Sequence, residues 1–115
     1  MARVAIRRVY EPSPKGTFRI LVDRLWPRGL SKEAAGVDLW LKEVGPSTEL
    51  RKWFGHDPEL FAEFARKYRA ELEGSEAYAE LKRAVADNAP AELVYSAHDT
   101  EHNQAVVLAE LLAGG

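Results

Sequence analysis

The run Ile20-Leu21-Val22 constrains this chain more than any other: successive apolar residues, led by Phe18 and closed by Asp23. A strand with one wet face alternates polar and apolar side chains. An unbroken apolar strand implies burial on both faces, as in the interior of a parallel sheet. The strand then runs straight into Asp23-Arg24-Leu25-Trp26-Pro27-Arg28-Gly29, which carries two guanidinium groups and an indole before Pro and Gly break the pattern. Open α/β domains bind ligands at the carboxyl ends of their strands. Arginine presents a planar donor fork that matches an oxyanion. The exit of this strand is therefore where an anion is expected.

The remaining pattern alternates strands with helices. Val4 and Ile6 alternate with charged neighbours in a first strand over Arg3 to Tyr10, and two prolines and a glycine make 11–16 a loop. The central strand spans Phe18 to Asp23. A loop over Trp26 to Gly36 holds a short helical turn at Lys32-Glu33-Ala34-Ala35, and Val37, Leu39 and Leu41 mark a third short strand. Pro46-Ser47-Thr48 opens a helix over Glu49 to Phe54 with a hydroxyl cap. Gly55 stops it, and Asp57-Pro58 opens the next, from Pro58 to Glu73, with Leu60, Phe61, Phe64, Tyr68 and Leu72 on one stripe. Gly74-Ser75 leads into a helix over Glu76 to Asn88. Leu93 to Ala97 forms the last buried strand, and Asp99 or Thr100 caps a final helix whose Val106, Leu108, Ala109 and Leu112 face the core. The expected fold is α/β: one small domain over 1–115, with a mostly parallel sheet of about three to five strands flanked by helices. Strand order is not readable from this pattern.

Composition excludes several classes of function. With no cysteine there is no disulfide, no thiolate catalysis and no Cys-ligated zinc, which fits a reducing compartment. No apolar window approaches a membrane span, and arginines interrupt the N-terminus where a signal peptide needs an apolar stretch, so the expected location is the cytoplasm and no membrane partner is expected. The net charge of −2 gives no general attraction to nucleic acid. It is unevenly spread: Arg3, Arg7, Arg8, Lys15, Arg19, Arg24 and Arg28 face only Glu11 and Asp23 in the first 28 residues. A solvated strand face accounts for Arg3, Arg7 and Arg8 equally well.

Three segments end at a common sheet edge if the strands are parallel: 23–28, 46–48 and 96–100. They bring together Arg24 and Arg28, the hydroxyls of Ser47, Thr48 and Ser96, and the acid–base groups Asp23, His98, Asp99 and His102. Such a set makes a pocket for phosphate, sulfate or carboxylate, because helix N-termini add unpaired N–H groups and a favourable dipole. Arg24 could instead pair with Asp23, Glu11 or another carboxylate and fix the loop. Trp26 either covers a ligand ring or plugs the core. His98 and His102 have zinc-like spacing, but with Asp99 as the cap His98 falls outside the helix, so no metal site is expected. Ser96 lacks the glycine-flanked turn of a hydrolase nucleophile. Neither GxGxxG nor a Walker pattern occurs, which argues against the standard dinucleotide and ATP sites. No cofactor is indicated.

Arg8-Val9-Tyr10, Val22-Asp23-Arg24-Leu25-Trp26-Pro27-Arg28-Gly29, Pro46-Ser47-Thr48-Glu49-Leu50-Arg51, Phe54-Gly55-His56-Asp57-Pro58 with Phe64 and Tyr68, Leu93-Val94-Tyr95-Ser96-Ala97 and His102-Asn103 resemble, nearly end to end, the domain of unknown function 488 family in its YeaO-like branch. The resemblance implies a small cytosolic α/β protein and brings no established activity. Its last block adds Asn103 to the ligand-binding candidates. Other branches carry a Cys-His-Arg triplet where this chain has Asn103-Gln104-Ala105, so a thiol mechanism is not carried over. The usual histidine of the branch is also replaced, by Gln104.

Two functions follow from these readings. One is an anion pocket for a phosphate-bearing metabolite or nucleotide. There Arg24 and Arg28 clamp the anion, Ser47, Thr48 and Ser96 donate hydrogen bonds and Trp26 covers an attached group. The convergence of Asp23, His98, Asp99 and His102 leans towards a small-molecule enzyme. The alternative is a nucleic-acid or protein interaction module that uses the basic N-terminal quarter.

Overall fold

The computed structural model describes residues 4–114. Four strands, β1 (Ala5–Arg8), β2 (Phe18–Leu21), β3 (Leu39–Trp40) and β4 (Ala91–Tyr95), form one sheet in the order β1-β4-β2-β3, with every pair parallel. The register lines up Ile6, Leu93, Ile20 and Leu39 across all four strands. β2 and β4 are the inner strands. Ile20, Leu21, Val22, Leu93 and Val94 have no exposed surface, as the uninterrupted apolar runs require.

The two faces are covered unequally. One carries the main core, where Ile20, Val22 and Leu93 pack with side chains of α2 (Thr48–Phe54), α3 (Phe61–Leu72), α4 (Glu76–Asp87) and α5 (Gln104–Gly114). The other is closed by α1 (Lys32–Ala35) and neighbouring loops, with Leu21 and Val94 against Val9 and Ala35 and with Trp26, Leu30 and Val37 at the margin. The caps of the middle helices act where expected, and Ser31 caps α1 as well. Ser31, Ser47 and Ser75 accept the N–H three residues on, and Asp57 accepts that of Glu59.

Several boundaries differ from those read in the sequence. β1 is the four-residue middle of Arg3 to Tyr10, and Arg3 lies outside the described residues. β3 shrinks to Leu39–Trp40, although Asp38 and Leu41 still donate their N–H groups to Arg19 and Leu21 of β2. The segment Pro58–Leu60 is a 3-10 turn, because Asp57 and Pro58 tighten the start before α3 begins at Phe61. β4 runs from Ala91 to Tyr95, so Ser96 and Ala97 already belong to the exit loop.

The largest correction concerns the final helix. Neither Asp99 nor Thr100 caps it; α5 begins at Gln104, and the Oδ1 of Asn103 accepts the Val106 N–H. Asp99 instead closes its own tight turn by accepting the N–H groups of Glu101 and His102. The buried face of α5 consequently includes Ala105 and Val107 beside Leu108 and Leu112, while Val106 and Ala109 are half-buried.

Candidate functional site

Because all four strands run the same way, their carboxyl ends share one edge, and there the loops open a cavity of about 690 Å³. That lies within the range of about 300–1,000 Å³ typical of small-molecule sites. Three chain segments form its walls: 23–28 after β2, 96–99 after β4, and the α2 side with Arg51, Phe54 and His56. Phe64 of α3 and Gln104 at the start of α5 line it as well.

Hydrogen bonds along the edge hold these loops in place. Arg8, at the end of β1, donates through Nε and Nη2 to the carbonyls of Ala97 (3.0 Å) and Ser96 (3.2 Å), so it ties the β4 exit to β1. The indole N–H of Trp40 donates to the Asp23 carbonyl at 2.7 Å, and that of Trp26 to the Leu30 carbonyl at 2.6 Å. The two indoles meet edge to face, with centroids 5.3 Å apart. Trp26 is thus built into the loop while it also lines the cavity.

Arg24 divides its role in the same way. Its Nε donates to the Pro46 carbonyl at 2.7 Å, and its Nη1 lies 3.6 Å from Glu43. The 45–46 segment comes so close that a Cβ on Gly45 would stand 3.0 Å from Arg24 Cγ and 3.1 Å from Arg24 N. The exposed Glu43 leaves this pair weak and screened.

Asp23 lies at the polar centre, only 8% exposed. Its Oδ2 accepts the Ser96 backbone N–H at 2.9 Å, and its Oδ1 accepts the Gln104 carboxamide N–H. Burial pushes its carboxyl above the usual range; the bonds from Ser96 and Gln104 and the charge of Arg51 oppose that shift.

Arg51 is the residue that the sequence reading quoted in a motif but did not single out. It forms no ion pair among the described residues, and its Nε is buried without a hydrogen-bond partner. A signal was present: Arg51 lies between Leu50 and Phe54, both buried, on the inward side of a short helix. A charge on that side needs a partner. His56 is a second cavity residue outside the named candidates. Its φ of 58° is unusual for a residue other than glycine; it follows Gly55 at 54°, lines the cavity and lies 6.1 Å from the Phe54 ring.

Of the candidates named from sequence, Asp23, Arg24, Trp26, Arg28, Ser96, His98 and Asp99 line this cavity. The others do not. Ser47 spends its hydroxyl on the α2 cap and on Glu71 at 2.5 Å, and Thr48 is exposed on the first turn of α2. Asn103 is buried in the α5 cap, where its Nδ2 donates to the Asp99 carbonyl. The His102 ring meets the Asp99 carboxylate at 2.9 Å and stands edge-on to Phe61. The Asp99 carboxyl sits below its ordinary range, chiefly through the N–H of Glu101 and then through His102. Among the described residues, no three His, Asp or Glu side chains converge as a metal site, and no helix is long and apolar enough to cross a membrane.

The basic N-terminal quarter is largely consumed by the fold. Arg7 pairs with Glu92 at 2.9 Å, Arg8 holds the β4 exit, and the buried Arg19 donates to Ala35, Glu11, Ser13 and Val9.

No solved structure matches the chain. An uncharacterized protein of Mycobacterium tuberculosis is 43% identical over 113 residues, covering 97% of this chain and 95% of that one. The uncharacterized protein YeaO of Escherichia coli is 44% identical over 110 residues, 95% of this chain and 96% of its own. A family model described as the inactive DUF488-N3 subclade matches residues 3–114. With the motif blocks around the cavity and these matches over nearly the whole length, the chain belongs to the DUF488 family, in that subclade.

Proposed function

We propose that the chain binds a small phosphate- or carboxylate-bearing molecule at the carboxyl edge of its sheet, held by Arg24, Arg28 and Arg51. The observation that carries this reading is Arg51: a guanidinium whose buried Nε has no partner faces the same cavity as Arg28, whose exposed side chain makes no hydrogen bond or ion pair among the described residues. A buried donor left unmatched costs about 1–3 kcal/mol. An acceptor oxygen of the entering molecule would recover that cost in a charge-assisted bond.

The reading is of a binder and not of a catalyst. Gln104 sits beside Asp23, where the resemblance to other branches would put a histidine, and a carboxamide does not exchange protons near neutrality. His102 and Asp99 engage each other. The subclade's description as inactive supports the same view. The nucleic-acid alternative loses support because Arg7, Arg8 and Arg19 are engaged internally.

Thermal unfolding of the wild type and of Arg24→Ala and Arg28→Ala, with inorganic phosphate, sulfate and simple carboxylates, tests the proposal. An anion at about 100 times its Kd adds about 2.7 kcal/mol, or on the order of 10 °C. The shift should be strongly reduced in both variants. A wild type that no anion stabilises overturns the reading.

A further inference from the structure

The cavity is polar in two different ways. At its rim stand Arg28, exposed, and Arg24, whose side chain is 32% exposed. Further in lie Asp23 and the buried Nε of Arg51, and the half-buried Gln104 is hydrogen-bonded to Asp23. These inner groups are complementary but incomplete. Asp23 and Arg51 carry opposite charges and face one space, yet form no ion pair. Gln104 gives its N–H to Asp23, and its Oε1 makes no hydrogen bond among the described residues. A carboxylate has about four acceptor sites, so the bonds from Ser96 and Gln104 leave Asp23 with capacity to spare.

An acceptor-rich acid and amide beside an unmatched donor do not suit the anionic end of a ligand, which Asp23 would repel. They suit a neutral hydroxyl, which can donate to Asp23 or Gln104 and accept from Arg51 at once. The rim arginines suit a doubly charged tetrahedral group with several oxygens, since two separate forks can each take a pair. The volume of about 690 Å³ leaves room for much more than a tetrahedral anion alone.

We propose that the ligand is a phosphomonoester of a sugar or other polyol, with its phosphate at Arg24 and Arg28 and its hydroxylated end inward against Asp23, Gln104 and Arg51. This rests on the anion-binding reading above and adds the ligand's class and its direction. The same chemistry is offered by a free sugar phosphate and by the ribose phosphate of a nucleotide.

Calorimetric titration at fixed ionic strength with ribose 5-phosphate, a nucleoside 5′-monophosphate, propyl phosphate and inorganic phosphate distinguishes the cases. Ribose 5-phosphate should bind at least about tenfold more tightly than propyl phosphate, the difference expected for one hydrogen bond to a charged group. In Gln104→Leu that ratio should fall towards one while propyl phosphate affinity is unchanged. Should Gln104→Leu fail to fold, Asp23→Asn, which keeps the shape, should lower the same ratio, with propyl phosphate bound no more weakly than by the wild type. Tighter binding of the nucleoside monophosphate than of ribose 5-phosphate supports the proposal and assigns the source to nucleotides; the reverse supports it and assigns free sugar phosphates. Equal affinity for ribose 5-phosphate and propyl phosphate overturns the hydroxyl subsite and leaves the anion reading standing. Failure of all four to bind overturns both.

Discussion

Two arginines beside the same sheet, the buried Arg19 and the half-buried Arg51, have opposite surroundings. Arg19 projects from β2 towards the face closed by α1 and loops. There its guanidinium donates to the carbonyls of Val9 at 2.8 Å, Glu11 at 2.9 Å and Ala35 at 3.2 Å and to the Ser13 hydroxyl at 2.5 Å. Arg51, on the face covered by the larger helices, keeps a buried Nε with no partner at the wall of a cavity. A guanidinium with all its donors matched has finished its work in the fold. One left unmatched at low exposure is held there by the surrounding packing, and the open space in front of it is where a partner would come from outside the chain.

The sharpest way to break this contrast is to truncate both residues. Arg19→Ala strands the buried carbonyls of Val9 and Ala35 and should cost about 3–5 kcal/mol, lowering Tm on the order of 15 °C. Arg51→Ala removes an unmatched group and should leave Tm within about 4 °C of wild type, or raise it. Parallel melting curves check this; equal losses in the two variants would erase the distinction.

Anion affinity should divide the same pair in the other direction. Arg51→Ala is expected to weaken ribose 5-phosphate binding by at least about tenfold, as loss of a hydrogen bond to a charged group does. Glu92→Gln, which releases Arg7 and Ser13 at the opposite side of the sheet, should leave it unchanged while lowering Tm by several degrees. Titrations of both variants decide the matter, and an affinity lost in Glu92→Gln would show that the two regions are coupled.

The contrast extends to two buried carboxylates. Glu92 is held below its ordinary range by Arg7, then by Ser13 and the charge of Arg19, so its contribution to stability is present above its unfolded value of about 4.3 and is lost as pH falls through its depressed folded value. Burial pushes Asp23 the other way, so its contribution is full below its unfolded value of about 3.9 and is lost as pH rises through its raised folded value. Denaturant midpoints measured from pH 3 to 8 should therefore show Asp23→Asn gaining on wild type as pH rises above about 4, and Glu92→Gln falling further behind wild type over the acid range as pH rises. Slopes of the same sign would remove the electrostatic half of the comparison.

Much of the scaffold was legible because local chemistry specifies it. The unbroken apolar run Ile20-Leu21-Val22 has only one stable location, and Ser47, Asp57 and Ser75 mark helix starts that the fold uses. The site was half legible. The exits of β2 and β4 follow directly from strands, and they bring Asp23, Arg24, Arg28, Ser96 and His98 to one edge. Ser47 and Thr48 misled because a hydroxyl at a helix start looks the same whether it meets a ligand or its own backbone. Arg51 escaped notice because its significance depends on which side of α2 turns inward, a tertiary fact. The order β1-β4-β2-β3 depends on long-range pairing that no local pattern encodes. Asn103 shows the reverse error: a cap four residues later than Asp99 shifts the whole α5 face, and His102 does not line the cavity.

The smallest expected effect lies in the loop between the two regions. Tyr10 leaves β1 on the side of the Arg19 network, under the Arg8 guanidinium at 4.9 Å, and its hydroxyl donates to the Arg28 carbonyl at 3.2 Å across the cavity mouth. It lines both the large cavity and the smaller hollow beside Arg19. Tyr10→Phe keeps the ring and the cation contact and removes only this exposed hydrogen bond, so stability should fall by less than about 1 kcal/mol. The Arg28 segment loses its tie to Tyr10, and phosphate affinity should drop about two- to threefold, mainly through faster dissociation. Stopped-flow measurement of that rate, beside Arg28→Ala, tells positioning from charge: Tyr10→Phe should keep the wild-type salt dependence of binding, and Arg28→Ala should flatten it.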